Sequence, residues 1–237
     1  AIRSNHTATH LLHSALKTVL GDHVHQAGSL VSPDYLRFDL THNNKINSSQ
    51  LIKIEYLVNE EILNNTPLTF EVKPFETARK EGVEALFGEK YGDEVRVISV
   101  GKFSKELCGG THVNHTGEIG LFKIIEESSL SAGVRRVVAI TGKEAVTYVQ
   151  NQSNIVKDLL LKFNCNSVDL ISRVDQIIDE KKSLEKKIRL KNKSFEFDIP
   201  SLIKKGEDIG TSILISSIIK DSSLEELKYI GDSLLQK

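Results

Sequence analysis

The 237-residue sequence is short of cysteine, of net charge and of long apolar runs. Its two cysteines, Cys108 and Cys165, lie in unlike surroundings. That excludes a disulfide framework and suits a reducing cytoplasm. Lys and Arg total 31 against 32 Asp and Glu, a formal net charge of −1. The chain as a whole is therefore no polycation, and a nucleic-acid partner would have to be met by local basic patches. No stretch approaches the ~20 apolar residues of a membrane span, so no membrane partner is expected. The start has neither a charged leader segment nor a small-residue cleavage site. Ala1 opens almost directly onto a helical pattern, as if excised from a longer protein.

What is present reads first as an α+β pattern. Ser4 or Asn5 is placed to cap a helix running to about Leu20, with Gly21 just past its end. Ala8, Leu11, Leu12, Ala15, Leu16 and Val19 form its apolar stripe, and His6, His10, His13 and Lys17 fall on the opposite face. The histidines therefore face either water or a second element that closes over them. Strands are expected at Ala27–Val31, Tyr35–Leu40, Leu68–Val72, Val95–Val100, Leu121–Glu126 and Val134–Thr141. Helices are expected from Ser48 or Ser49 to about Leu63, and over Glu76–Phe87 with an interruption at Gly82. Gly109-Gly110 marks a tight turn.

After Gly142 the pattern changes. Ala145, Val149, Gln152, Val156, Leu159 and Phe163 recur at 4-3 spacing, and Leu170, Val174, Ile177, Lys181, Leu184 and Ile188 form a second series. Joined by the short break at Asn164–Ser167, these predict an antiparallel helical hairpin, with self-association through it as an expectation. Asn192–Pro200 reads as a linker, Ser212–Ile219 as a strand and Ser223–Leu235 as a helix, the start of a partial α/β unit. Three segments follow: 1–142, a domain of mixed strands and helices; 143–193, the hairpin; and 194–237, linker and truncated third unit.

Two ligand pairs carry the chemistry. His6 and His10 stand four apart on one helix face, and Cys108 and His112 stand four apart across the glycine turn. Three imidazoles and a thiolate are what a tetrahedral zinc ion asks for. Alone, the histidine pair would suit a solvated helix face, and the cysteine a small buried position; both pairs in one domain point to metal. His13 shares the helix face and is a substitute ligand without a matching partner, while His23, His25, His42 and His115 read as surface or loop histidines. A metalloprotease of the HExxH kind needs a glutamate where Thr7 stands, and a zinc deaminase needs a CxxC that is absent. Ligand count leaves structural and catalytic roles both open.

At these residues the sequence resembles the editing domain of the alanyl-tRNA synthetase family, found also in free-standing AlaX-type proteins. The resemblance covers His6-Thr7-Ala8-Thr9-His10-Leu11-Leu12, Val24–Val31, Leu36-Arg37-Phe38-Asp39, Glu106–Val113, Thr116–Gly120 and Gly133-Val134-Arg135-Arg136. The related threonyl-tRNA synthetase editing domain usually has proline before the last histidine, where this chain has Thr111. Leu224-Glu225-Glu226-Leu227-Lys228 resembles the first helix of the synthetase's C-terminal domain.

The resemblance implies a deacylase that hydrolyses the ester of Ser-tRNA(Ala) or Gly-tRNA(Ala). An alanine pocket gains little discrimination against one missing methyl, which is where a second site is useful. It implies zinc held by His6, His10, Cys108 and His112, and a pocket to which Thr9 and Gln26 contribute, Thr9 helping to tell serine from alanine. Arg135 and Arg136 are candidates for phosphates of the tRNA(Ala) acceptor end, with Lys102, Lys105 and Arg37 weaker ones. The family's ATP-binding and tRNA-recognition regions would lie upstream of Ala1, so this stretch alone is expected not to charge tRNA. The competing expectations are a zinc-stabilised tRNA-binding or dimerisation module without independent catalysis, or a free-standing AlaX-type deacylase.

Overall fold

A computed structural model describes residues 1–85, 92–196, 199–219 and 222–235. The chain forms two compact units, Ala1–Ile155 and Val156–Lys237.

The first unit is built on helix α1, Ile2–Leu20. It begins earlier than the Ser4 or Asn5 cap predicted, with Ala1 at the cap and no side-chain bond there. Asn5 is instead buried inside the helix and tied to other elements. Its amide donates to the Ser32 and Pro33 carbonyls, and its Oδ1 accepts from Thr141 Oγ1 at 2.6 Å. Those long-range bonds outweigh a local cap, because a buried amide must have its partners.

Strands β1 (Gln26–Val31) and β2 (Leu36–Thr41) join β6 (Phe122–Ser131) and β7 (Val134–Thr141) in an antiparallel sheet of order β1-β2-β7-β6. Helix α2, Ser48–Leu63, is capped by Asn47 rather than by Ser48 or Ser49. Asn47 Oδ1 accepts from the Gln50 N–H at 2.9 Å while Gln50 Oε1 accepts from the Asn47 N–H at 3.0 Å, a reciprocal box. The apolar stripe of α1 packs with α2 and this sheet: Leu11, Leu12, Leu16, Phe38, Ile54, Val58 and Phe122 are buried together. Period 3.6 in the helices and period 2 in β2 thus meet in one core.

A second antiparallel sheet has order β3-β4-β5, from Leu68–Pro74, Glu94–Val100 and Ser104–Leu107. Helix α3 is only Phe75–Lys80. The longer helix predicted stops because Gly82 takes φ +72°, a left-handed turn; residues 86 and 87 of that expectation lie outside the described residues. Strand β5 has no counterpart among the strands expected, and a 3₁₀ turn at Thr116–Ile119 follows the glycine loop.

Helix α4 spans Gly142–Phe163 and α5 spans Leu170–Glu196. Both helices predicted are present; of their apolar seam positions Ala145 is buried, Leu159, Phe163, Leu170 and Val174 are half-buried, and Val149, Val156, Ile177, Leu184 and Ile188 are exposed. The linker expected at Asn192–Pro200 is largely helical: α5 reaches Glu196 and α6 covers Ile199–Lys204, with Pro200 in its first turn where no N–H is needed. In place of a strand at Ser212–Ile219, β9 is Ile213–Leu214, paired with β8 at Glu207–Asp208, and helix α7 is Leu224–Leu235. No described helix is long and apolar enough to cross a membrane.

Candidate metal centre

Helix α1 is buried on two sides. Opposite its apolar stripe, His10 and His13 are buried with Glu106 of β5 against both, and Thr7 beside them is buried against His112 of the loop that follows β5. The histidine face therefore meets a second element rather than water.

The strand-to-loop segment supplies the other half. The Cys108 N–H donates to the Arg96 carbonyl at 3.0 Å, and an Arg96 guanidinium N–H in turn donates to the Gly110 carbonyl, so β4 fixes the loop from both ends. Gly110 lies where a Cβ would stand 2.0 Å from His6 Cε1. Only glycine lets the backbone come that close, so the turn is shaped around the imidazole. Cys108 Sγ lies 3.4 Å from His6 Nε2 and 3.4 Å from His112 Nε2. The ligand atoms of His6, His10, Cys108 and His112 all lie within 4.8 Å of one another. Bonds of about 2.0–2.3 Å give a tetrahedron whose edges are roughly 3.3–3.8 Å, and the two sulfur–nitrogen spacings fall inside that range. The four residues form a cluster that could hold a metal ion.

Their outer partners fix which ring atom points inward. Thr7 Oγ1 donates its one proton to the Arg3 carbonyl at 3.0 Å. With a metal ion on Nε2, His112 would carry its proton on Nδ1, 3.1 Å from Thr7 Oγ1, which can accept it; without one, Nε2 can donate to Cys108 Sγ at 3.4 Å. His10 Nδ1 lies 2.9 Å from Glu106 Oε2, an ion-pair contact rather than a well-aligned hydrogen bond, which leaves its other nitrogen facing the cluster. Carboxylate-backed imidazoles are the usual support of a metal ligand.

The charges are set by the same contacts in the metal-free protein. Burial opposes ionisation of Cys108, but hydrogen bonds from His10, His112 and His6 hold its pKa down at about 3. Burial likewise opposes the charged His10, yet Glu106 and the Cys108 thiolate raise it to about 10. Burial would lift Glu106, and the His10 and His13 rings outweigh it, bringing the carboxyl to about 2. His112 is lowered by burial, while its hydrogen bond to Cys108 opposes that shift and the charges of His10 and His6 reinforce it. A thiolate among imidazoles is the state a cation would find.

Other residues singled out in the sequence stand as follows. Thr9 Oγ1 donates to the Asn5 carbonyl of its own helix at 2.9 Å. Gln26 opens β1, half-buried, opposite Leu40. Arg136 grips Asp39 with two bonds of 2.7 and 2.9 Å, and Arg135 Nε donates to Glu127 at 2.7 Å. Arg37 lies 3.6 Å from Asp39, and Lys105 donates to Glu81 at 2.7 Å. His13 joins Glu106 and not the ligand cluster. His23 and His42 form a 2.8 Å pair near the surface. Glu106 is the residue that sequence reasoning missed; the alternation Ser104–Glu106–Cys108 along one strand face would have placed it beside the ligand.

Residues 95–138, from β4 into β7, match the family described as threonyl and alanyl tRNA synthetase second additional domain. That stretch includes Cys108 and His112, so the chain carries a domain of this synthetase class. Along nearly its whole length it is homologous to a segment of the alanine–tRNA ligases. It is 46% identical over 231 residues to the alanine–tRNA ligase of Fervidobacterium nodosum, covering 97% of this chain and 26% of that protein. The alanine–tRNA ligase of Alkaliphilus metalliredigens is 45% identical over 235 residues, and that of Solibacter usitatus 45% over 238, with 98% and 100% of this chain covered and 27% of each relative. The chain spans about a quarter of the length of the curated relatives it matches. The expectation from Thr111, alanyl rather than threonyl, agrees with these relatives.

Proposed function

We propose that this chain is an aminoacyl-tRNA deacylase module, a cytoplasmic proofreading site that hydrolyses the ester of Ser-tRNA(Ala) or Gly-tRNA(Ala) at a zinc centre. The observation that carries the reading is the cluster of His6, His10, Cys108 and His112 around a turn whose Gly110 admits no side chain. Homology to alanine–tRNA ligases supports tRNA(Ala) as the partner. Three imidazoles and one thiolate suit zinc among common metals. Zinc so held supplies Lewis acidity, or a grip on the amino group, to an ester that is already activated.

The remaining work falls to the chain's own side chains. Thr7 and Glu106 hold His112 and His10 in one orientation each, so the centre needs no reorganisation when substrate enters. Thr9 has committed its proton to Asn5, and its oxygen can only accept. A seryl hydroxyl can donate to it; the methyl of an alanyl group cannot. Gln26 adds a polar contact to the same pocket. Of the two arginines, Arg136 has more exposed guanidinium to offer a phosphate, with 25% side-chain accessibility against 12% for Arg135.

Single-turnover hydrolysis tests this reading, with Ser-tRNA(Ala), Gly-tRNA(Ala) and Ala-tRNA(Ala) compared at high protein concentration and low salt, where phosphate contacts are strongest. The expected result is release of serine or glycine well above that of alanine, lost in Cys108→Ala. Equal rates for wild type and Cys108→Ala would leave a zinc-stabilised tRNA-binding module in its place.

A further inference from the structure

Behind the four ligands stands a third histidine of α1 that no ligand role uses. His13 is 2% exposed and its ring lies 5.2 Å from that of Phe38. Its Nδ1 is 3.1 Å from Glu106 Oε1, while the other oxygen of that carboxylate lies 2.9 Å from His10 Nδ1. One buried carboxylate thus bridges residues three apart on the same helix. Its remaining contact is Ser104 Oγ, at 3.4 Å from Oε1. Its ion-pair partners among the described residues are these two imidazoles, with no lysine or arginine. At the other edge of the His13 ring, Nε2 has no hydrogen-bond partner among the described residues. The ring borders a cleft of about 270 Å³ shared with Ser14, Lys17, Thr18 and Glu84. The ring therefore has one anchored nitrogen, and that nitrogen is given to Glu106.

A carboxylate buried beside a metal ligand swings unless both oxygens are held. Oε2 faces His10; without His13, Oε1 would keep only the long hydroxyl contact. We infer that His13 is a positioning residue for the metal centre: by donating from Nδ1 to Glu106 it keeps that carboxylate against His10 and so fixes the His10 ring with its free nitrogen toward the ligand cluster. This rests on reading His10 as a ligand. The rival account is that His13 fills core space against Phe38, and the two separate by which edge of the side chain matters.

The test is metal affinity of the intact chain, read by competition between zinc and a chromophoric chelator, with the absorption bands of the cobalt-substituted protein as a second readout. His13→Asn retains an amide donor near the place of Nδ1; His13→Gln places its amide nearer Nε2; His13→Leu fills the space without a donor. Loss of an outer-shell partner costs about 10- to 100-fold in metal affinity. The expected result is that His13→Asn stays within about threefold of wild type, while His13→Gln and His13→Leu weaken binding by about tenfold or more and shift the cobalt bands. If His13→Leu does not fold, the Asn and Gln variants carry the comparison. His13→Gln or His13→Leu binding as tightly as wild type would overturn the inference, and so would His13→Asn falling as far as His13→Leu. A wild-type chain that takes up no metal would instead sink the ligand assignment on which it rests.

Discussion

Replacing Gly110 by alanine puts the geometry of the centre under the most specific strain. The added Cβ would lie 2.0 Å from Cε1 and 2.6 Å from Nδ1 of His6, far inside van der Waals contact. Either the loop or the imidazole must give. Arg96 and the Cys108 N–H hold the loop to β4, so the half-buried His6 ring yields first. Overpacking of this kind costs about 1–3 kcal/mol. Charged against ligand geometry, that is roughly a 5- to 150-fold loss of metal affinity. Gly109→Ala is the matched control: nothing lies within 4 Å of its added Cβ, so it should bind metal as wild type does. Chelator competition on the two variants reads the difference, and the circular dichroism of both should match wild type because neither glycine lies in a helix or strand. Equal affinity for Gly110→Ala and Gly109→Ala would refute the claim that this turn is shaped around His6.

Other substitutions test separate links. Thr7→Val removes the acceptor for His112 Nδ1–H and for the Val113 N–H, and should lower metal affinity about tenfold while keeping volume, measured by the same competition. Thr9→Val should slow seryl ester hydrolysis while leaving glycyl hydrolysis within about twofold, since only serine has a hydroxyl to donate; equal losses on both substrates would deny Thr9 that role. In the metal-free protein, the raised pKa of His10 gives stability that is full below pH 6.5 and is lost as pH rises toward about 10. The lowered pKa of Glu106 gives stability that is full above pH 4.5 and is lost as pH falls toward about 2. The Cys108 thiol, lowered from 9.0 to about 3, adds stability that grows as pH rises from about 3 to about 9, so urea midpoints in chelator should rise with pH to about 6.5, stay level while Cys108 and His10 offset each other, and fall above about pH 9.

The four ligand residues were readable from the chain because i, i+4 spacing on a helix and across a glycine turn is a local geometric statement. Thr7, Glu106 and His13 were not, since each acts through a residue about a hundred positions away in sequence. Glu106 in a Ser-Lys-Glu-Leu strand looks like a surface acid until the pleat sets it beside Cys108. The strands of the first unit other than β5 followed from alternation, while helix starts did not: Asn5 went to a distant loop and Asn47 took the cap that two serines competed for. Beyond Gly142 the heptad spacing gave the two helices and the face each presents, while five of its apolar seam positions are exposed, because spacing fixes a face and not what covers it.

X-ray absorption at the zinc edge of the purified, metal-loaded chain bears most directly on the central claim. The account predicts one zinc per chain with a first shell of one sulfur at about 2.3 Å and nitrogen neighbours at about 2.0–2.1 Å, the sulfur lost in Cys108→Ala. A shell of oxygen donors without sulfur, or a chain that takes up no zinc, would contradict it.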